Sequence, residues 1–295
     1  MQILSLQRIL ISLGVIVFAG ALVAGATGAF FSDTETSTGN TFAAGNIDLQ
    51  IDNESYVTST TTGALIASPG TSWNLKDLVP GVDHFFNFSD LKPGDIGEDT
   101  ISIHVGSNNA WMCAAARITA DNDVSYTEPE LADDLTVATS SPSTTDGELD
   151  EGVNFVFWHD DGDNVLEDNE INSIFLRGSL RDIATTTNIT LADASSTITG
   201  TGGPIPGNTT FYVGKAWCFG ALGLAPVTQD GQGKTGQNGP LVRGTGVSCD
   251  GSSVNNAAQT DVAQADVQFF AVQSRNNPNF LCSTGYKPTI PILPL

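Results

Sequence analysis

The sequence predicts an all-β protein: a two-sheet, jelly-roll-like sandwich with long surface loops and an N-terminal signal helix. Three observations support this fold class. Gly, Ser, Thr, Asn and Asp are abundant among the 295 residues, which include 31 glycines, and such a composition favours strands and turns over helices. Short segments with strand-like patterns recur along the chain, and turn residues separate them. Without a 29-residue signal segment, 295 minus 29 leaves 266 residues, a length that commonly forms one β-sandwich domain.

Six segments have the pattern of strands. Residues 47–51 and 100–105 alternate apolar and polar side chains, which is typical of a strand with one buried face. The other four are residues 110–119, 153–158, 210–219 and 267–272. Several of these are continuously apolar, which indicates burial on both faces. These strands fit two packed sheets with jelly-roll-like connections.

The remaining segments are predicted as short helices, loops and a tail. Residues 128–135 and 171–183 are the only two predicted helices. Three polar segments are predicted as surface insertions: residues 138–152, 185–208 and 229–246. Residues 287–295 contain three prolines, which lack the N–H groups of an internal strand, and we expect an extended C-terminal tail. Residues 30–286 therefore form the single predicted sandwich domain.

The N-terminus predicts export. Arg8 precedes an uncharged, mostly apolar stretch, residues 9–29, which ends in small residues. This order is that of a secretory signal peptide, and we expect cleavage between Ala29 and Phe30. The mature protein would be extracellular, in a matrix or at the cell surface, and would meet the membrane only through residues 1–29 before cleavage. The alternative is an uncleaved anchor, since about twenty apolar residues also span a bilayer.

The net charge argues against nucleic acid as a partner. The chain has 33 acidic and 11 basic residues, a formal charge of -22. Cleavage would remove one basic residue, Arg8, and leave 10 minus 33, or -23. A nucleic-acid partner requires a basic face. Such a charge also opposes packing of like subunits unless cations offset it, so an assembly should respond to salt or calcium.

Four cysteines outside the signal segment predict two disulfides, because an exported chain folds in an oxidising compartment. Three connectivities are compatible with four cysteines. We favour Cys218–Cys249, which closes the Gly-rich residues 229–246, and therefore Cys113–Cys282. Closing the shorter loop contributes about 3 to 4 kcal/mol in the chain-entropy model. Zinc is the competing interpretation, but the chain has no CxxC pair and no His beside a cysteine.

An acidic segment predicts a calcium site. Residues 146–170 contain ten acidic and no basic residues, so something must neutralise them. Carboxylates spaced around Gly162 are the hard oxygen ligands that Ca²⁺ prefers, although the spacing is not that of an EF-hand. The strongest candidates are the aspartates at 161 and 163 and the glutamates at 167 and 170, and the full predicted set is Asp160, Asp161, Asp163, Asn164, Glu167, Asp168 and Glu170. The alternative is a solvated acidic turn.

No motif of a hydrolytic enzyme is present. The three histidines are His84, His104 and His159, and the HExxH pattern of zinc peptidases is absent. No serine lies in a GxSxG elbow. We therefore expect no catalytic site, and we expect His84 and His104 to be packing or rim residues.

Three short motifs resemble a known family. They are residues 31–33 (FSD), 40–49 (NTFAAGNIDL) and 91–95 (LKPGD). In this order after the signal exit, they resemble the TasA and camelysin group of exported proteins with SipW-type signal peptides, over residues up to about 105. The resemblance implies fibre assembly by strand exchange. Some camelysin-like proteins are classed as metallopeptidases, which keeps a protease function open as an alternative.

The expected function is that of a secreted structural subunit of extracellular fibres, biofilm matrix or cell surface. After cleavage, residues 30–45 would form a donor strand with Phe30, Phe31 and Phe42 as apolar anchors, either in its own sandwich or on a neighbour's sheet edge. Head-to-tail donation gives filaments of identical copies, to which other matrix or surface proteins could attach. The first alternative is a monomeric, calcium-dependent surface-binding or adhesion module.

Overall fold

The computed structural model describes residues 47–124, 128–134, 146–186, 188–200 and 202–290. All of them belong to the second of the two units into which the chain divides, residues 45–295. The predicted signal peptide, its cleavage site at Ala29 and Phe30, and the candidate donor strand with Phe31 and Phe42 lie outside the described residues. Among the helices that are described, none is long and apolar enough to cross a membrane.

Twelve strands account for most of the regular structure in the described ranges. They are β1 (Leu49–Thr58), β2 (Leu65–Ala67), β3 (Trp73–Lys76), β4 (Ile96–Val105), β5 (Ala110–Asn122), β6 (Val153–Asp160), β7 (Ile174–Ser179), β8 (Ile189–Ala192), β9 (Thr210–Phe219), β10 (Ala221–Leu224), β11 (Val247–Asp250) and β12 (Val262–Gln273).

The helices in the same ranges are short. They are α1 (Glu130–Asp133), α2 (Leu149–Gly152), α3 (Leu180–Thr185), α4 (Pro240–Arg243) and α5 (Cys282–Gly285), together with 3₁₀ turns at Pro69–Thr71 and Ile171–Ser173. None exceeds six residues, so each depends on packing against the sheets for its stability.

The strands form antiparallel sheets. The large sheet has the order β2-β1-β4-β9-β6-β7, with β3 also paired to β1. A three-stranded sheet has the order β12-β5-β8, and β10 pairs with β11. Residues 287–290, the described part of the predicted tail, lie outside helices and strands. The prediction of an all-β sandwich is confirmed.

The main core lies between the large sheet and the three-stranded sheet. Ile103 of β4, Val213 of β9 and Met112 of β5 are buried in one cluster, and these three strands are interior strands of their sheets. Inward-facing side chains of two packed sheets form such a core. The all-β fold therefore rests on burial of the apolar faces that the sequence pattern predicted.

Both disulfides have the predicted pairing. Cys113 of β5 is bonded to Cys282 of α5, with an S–S distance of 2.05 Å. Cys218 of β9 is bonded to Cys249 of β11, at 1.96 Å. The first joins the C-terminal segment to the three-stranded sheet, and the second joins the β10–β11 hairpin to the large sheet.

Several local predictions were wrong. Residues 171–183 do not form one helix: a 3₁₀ turn is followed by strand β7 and only then by α3. Pairing of β7 with β6 determines the strand, because tertiary contacts override weak local preference. The helix expected at 128–135 is a single turn, α1, and three further helices, α2, α4 and α5, were not predicted.

The predicted insertion at residues 185–208 is partly integral to the fold. It contains β8, which pairs with β5 and buries Leu191 in the main core. A short strand flanked by Thr, Ser and Gly has too little apolar pattern to be separated from a loop by sequence alone.

Candidate functional site

The acidic loop, residues 160–170, begins at Asp160, the last residue of β6. Trp158, two residues before the loop, is fully buried and lies opposite Gly214 of β9. A Cβ atom at Gly214 would collide with the indole ring, so only glycine permits this packing. The end of β6, and hence the start of the acidic loop, is fixed by the core.

Asp160 shapes the loop. Its Oδ2 accepts hydrogen bonds from the backbone N–H of Gly162 at 3.1 Å and of Asn164 at 3.3 Å, and Thr100 Oγ1 donates to it at 3.2 Å. Its Oδ1 accepts from Trp158 Nε1 at 3.2 Å. Gly162 and Asn164 both have positive φ, at 108° and 65°, as a tight turn requires. Burial raises the pKa of Asp160 to about 7.

Three carboxylates converge within the loop. Asp161, Glu167 and Glu170 each place an oxygen within 4.8 Å of an oxygen from the others. Glu167 is fully buried, and its Oε2 has no hydrogen-bond partner in the described structure, like Oδ1 of Asp161. Glu170 accepts from the backbone N–H of Asp161 at 3.0 Å and of Glu167 at 3.1 Å. The loop is thus closed around oxygens that lack donors.

The electrostatics of the loop favour a proton or a cation. Burial, and then the charge of Asp160, raises the pKa of Glu170 to about 9. Burial and the neighbouring aspartates likewise raise the pKa of Asp163 to about 7. Burial also raises the pKa values of Asp161 and Glu167. These raised pKa values reflect burial and repulsion between neighbouring carboxylates, and a bound cation would reduce that repulsion.

Arg243 supplies part of the missing positive charge. Its Nη1 lies 2.7 Å from Asp163 Oδ2, 2.5 Å from Glu167 Oε1 and 3.3 Å from Asp230 Oδ2. Asn238 also donates to Asp163, at 3.3 Å, and to Asp230, at 3.2 Å. A basic residue in a Gly-rich segment is the only trace of these contacts in the sequence. Residues 229–246, predicted as a surface insertion, therefore help to build the site.

The structure brings most of the predicted ligands together. Asp160, Asp161 and Asp163 form one group, and Asp163, Glu167 and Asp230 form another that Arg243 already occupies. Asn164 is buried, with an unpartnered Oδ1. Asp168 is exposed and accepts from the N–H of Gln229 at 3.3 Å, so it lies outside these groups. The Asp161, Glu167 and Glu170 group is the one best suited to a cation.

Within the described residues, no histidine belongs to these groups, although His159 directly precedes Asp160. Across the described ranges, the groups with metal-ligand spacing consist of carboxylates. His104 contacts Asp52 Oδ2 through Nε2 at 3.1 Å and Thr210 Oγ1 through Nδ1 at 2.8 Å, and burial lowers the pKa of His159. A carboxylate donor set suits Ca²⁺ or Mg²⁺ rather than the His-rich zinc centre of a peptidase.

The fold and the site together define a class: an antiparallel β-sandwich with a buried carboxylate cluster. Within this class, residues 7–63 match the family model described as camelysin metallo-endopeptidase. The match spans the candidate donor strand and β1, and the resemblance to the TasA and camelysin group is confirmed for that segment. It ends before the acidic loop. A comparison with curated proteins gave no match.

Proposed function

We propose that the protein is a secreted structural subunit of extracellular fibres, biofilm matrix or the cell surface, which assembles through residues 30–45. The observation that carries the proposal is strand β12. Within the described residues this 12-residue strand pairs with β5 alone. Its other edge therefore offers N–H and C=O groups to an added strand.

The other sheet edges are less suitable acceptors. β2 has three residues, β8 has four and β7 has six, so each offers fewer backbone hydrogen bonds than β12. The first five residues of β12 alternate between exposed and half-buried, with Val262, Gln264 and Asp266 exposed. A donor strand of residues 30–45 has the length to cover this edge, and its phenylalanines would supply the apolar anchors.

The acidic loop supports calcium as part of this function. We propose that Asp161, Glu167 and Glu170 bind Ca²⁺, with Asp160 shaping the loop and Arg243 balancing Asp163 and Glu167. Bound calcium would reduce the negative charge that opposes assembly. The same site favours a second candidate function, a monomeric calcium-dependent surface-binding module, in which the ion orders the loop for a partner surface.

We propose no catalytic activity. Within the described residues, the groups with metal-ligand spacing contain carboxylates and no histidine or cysteine, and the sequence has neither the HExxH nor the GxSxG pattern of a hydrolytic enzyme. Casein hydrolysis that is abolished by chelator and by His84→Ala, His104→Ala or His159→Ala would instead support a metallopeptidase.

Electron microscopy of the mature chain, residues 30–295, tests assembly. We expect filaments in calcium and only folded monomers after deletion of residues 30–40. A synthetic peptide of residues 30–45 should bind the truncated protein, whereas a matched peptide with Phe30→Ser, Phe31→Ser and Phe42→Ser should not. Isolated particles of mature protein in calcium, with monomer mass, would contradict strand exchange and favour the monomeric module.

A further inference from the structure

A second group of carboxylates lies at the end of the β5–β12 ladder. Asp123 directly follows β5, and Asp261 directly precedes β12. The antiparallel register pairs Asn122 with Val262, so Asp123 and Asp261 occupy the next opposite positions. Like charges opposite each other on adjacent strands are destabilising, and here they stand at the point where two long strands separate.

A third carboxylate comes from a different element. Glu130, the first residue of α1, is fully buried. Asp123, Glu130 and Asp261 each place one oxygen within 4.8 Å of an oxygen from the other two. We call these three residues the strand-end cluster. Because Asp261 is remote in the sequence from Asp123 and Glu130, the fold itself brings the three charges together.

Two oxygens of the strand-end cluster lack donors. Asp123 is only 2% exposed, and its Oδ1 has no hydrogen-bond partner within the described residues. Oδ1 of Asp261 is buried and equally without a partner, while Oδ2 accepts from the N–H of Glu148 at 2.7 Å. A buried carboxylate with no donor or counter-ion is costly.

Arg181, which pairs with Asp121 two positions before Asp123, is engaged outside the strand-end cluster. Arg181 forms ion pairs with Asp121 at 3.2 Å, Asp150 at 2.9 Å and Glu151 at 2.8 Å. No described lysine, arginine or histidine forms an ion pair with Asp123 or Asp261. The strand-end cluster thus differs from the acidic loop, where Arg243 neutralises part of the charge.

The pKa values of Asp123 and Asp261 are raised, in agreement with this geometry. Burial, opposed by the Glu148 N–H and reinforced by the charge of Asp123, raises the pKa of Asp261 to about 7. Burial and then the charge of Asp134 raise the pKa of Asp123. Both shifts indicate a site with too much negative charge for its surroundings.

We propose that the strand-end cluster binds a second hard divalent cation, for which Ca²⁺ is the probe, and that this ion fastens the start of β12 to the end of β5. Three carboxylate oxygens at this spacing match the hard ligands and short metal–oxygen distances that Ca²⁺ requires. The inference goes beyond the proposed function, since it holds whether the protein polymerises or stays monomeric.

Calorimetric titration of chelator-stripped mature protein with CaCl₂ tests the site. We expect Asp123→Asn/Asp261→Asn to lose one bound Ca²⁺ per chain while the acidic loop keeps its affinity. Asp161→Asn/Glu167→Gln should lose the other ion. Asp77→Asn, at an exposed aspartate after β3, is the matched control and should retain both ions.

Hydrogen exchange gives a second readout. Calcium should slow exchange at the first amides of β12 at least tenfold in wild type and in Asp161→Asn/Glu167→Gln, but not in Asp123→Asn/Asp261→Asn. If the double variant fails to fold, Asp261→Asn alone is measured in the same way. Unchanged stoichiometry in a folded variant, or no calcium effect on β12 in wild type, would overturn the second site, whereas strand exchange through residues 30–45 is tested separately by electron microscopy.

Discussion

At the scale of single residues, Glu98 combines complete burial with an unsatisfied carboxylate. It lies in β4, and neither of its oxygens has a hydrogen-bond partner within the described ranges. Burial, and then the charges of Asp160, Asp99 and Asp163, raises its pKa well above the usual value. The adjacent Asp99 is equally buried but pairs with Lys215 at 2.8 Å. Burial and the neighbouring carboxylates therefore favour the protonated, neutral form of Glu98 in the folded protein.

This state makes stability depend on pH. Because the pKa of Glu98 is higher in the folded than in the unfolded chain, its contribution to the free energy of unfolding is fully present below the unfolded pKa of 4.5. This contribution is lost as the pH rises from the unfolded to the folded pKa, at up to about 1.4 kcal/mol per pH unit. We expect Glu98→Gln to match wild type at pH 4 and to be more stable at pH 8, by urea unfolding in chelator. Glu128→Gln, at an exposed position, should follow wild type; parallel pH profiles for all three proteins would refute the assignment.

Sequence reasoning found the residues that are close together in the chain. The ligands of the acidic loop lie within eleven positions, from Asp160 to Glu170, so a local pattern reveals them. Arg243 was not predicted because it reaches the acidic loop from a remote part of the sequence. The strand-end cluster was not predicted because pairing of β5 with β12 brings Asp261 beside Asp123 and Glu130. No local pattern in one sequence encodes such contacts.

At the scale of elements, the Cys218–Cys249 disulfide holds the segment that covers the acidic loop. Between these cysteines lie Asp230, Asn238 and Arg243, which contact Asp163 or Glu167. Backbone hydrogen bonds add to this, since the N–H of Leu166 donates to Thr245 O at 3.1 Å. The disulfide thus limits the freedom of residues that complete the site, in addition to stabilising the fold.

Removing each disulfide should therefore have different consequences. We expect Cys218→Ala/Cys249→Ala to lose about 3 to 4 kcal/mol of stability and to weaken calcium binding at the acidic loop about tenfold or more. Cys113→Ala/Cys282→Ala is the matched control: it should also lose stability but keep the loop's affinity, because that disulfide joins α5 to β5. Calorimetry below each variant's thermal midpoint makes the comparison, and equal affinities in the two variants would contradict the role assigned to the covering segment.

The elements that sequence predicted correctly are those with a long apolar pattern. β5 and β9, with 13 and 10 residues, were found because nearly every side chain in them is apolar or small. β7 was mistaken for part of a helix because its identity depends on pairing with β6. Strand order was likewise not predictable, since β4 pairs with β9 across more than a hundred residues of sequence.

At the scale of the whole molecule, a formal charge of -22 opposes the close contact between copies that we propose. Within the described residues, the carboxylate groups with metal-ligand spacing lie in the acidic loop, together with Asp230, and in the strand-end cluster. The strand-end cluster lies at the start of β12, the proposed acceptor edge. Cations bound at these places would lower the repulsion more than the same ions spread in solution. Screening by simple salt acts on the whole surface instead, with a Debye length of about 10 Å at 0.1 M and about 3 Å at 1 M.

Assembly should therefore show two separable responses. We expect NaCl from 0.1 to 1 M to lower the critical concentration for filament assembly of the mature protein gradually in every variant, because screening by salt requires no binding site. Millimolar CaCl₂ at constant ionic strength should lower it at least tenfold in wild type, and chelator should reverse the effect. Asp161→Asn/Glu167→Gln should keep the NaCl response and lose most of the calcium response, whereas Asp77→Asn should keep both, as measured by sedimentation. If calcium acted no more strongly than NaCl of equal ionic strength, bound ions would have no role in assembly, and the charge would be balanced by screening alone.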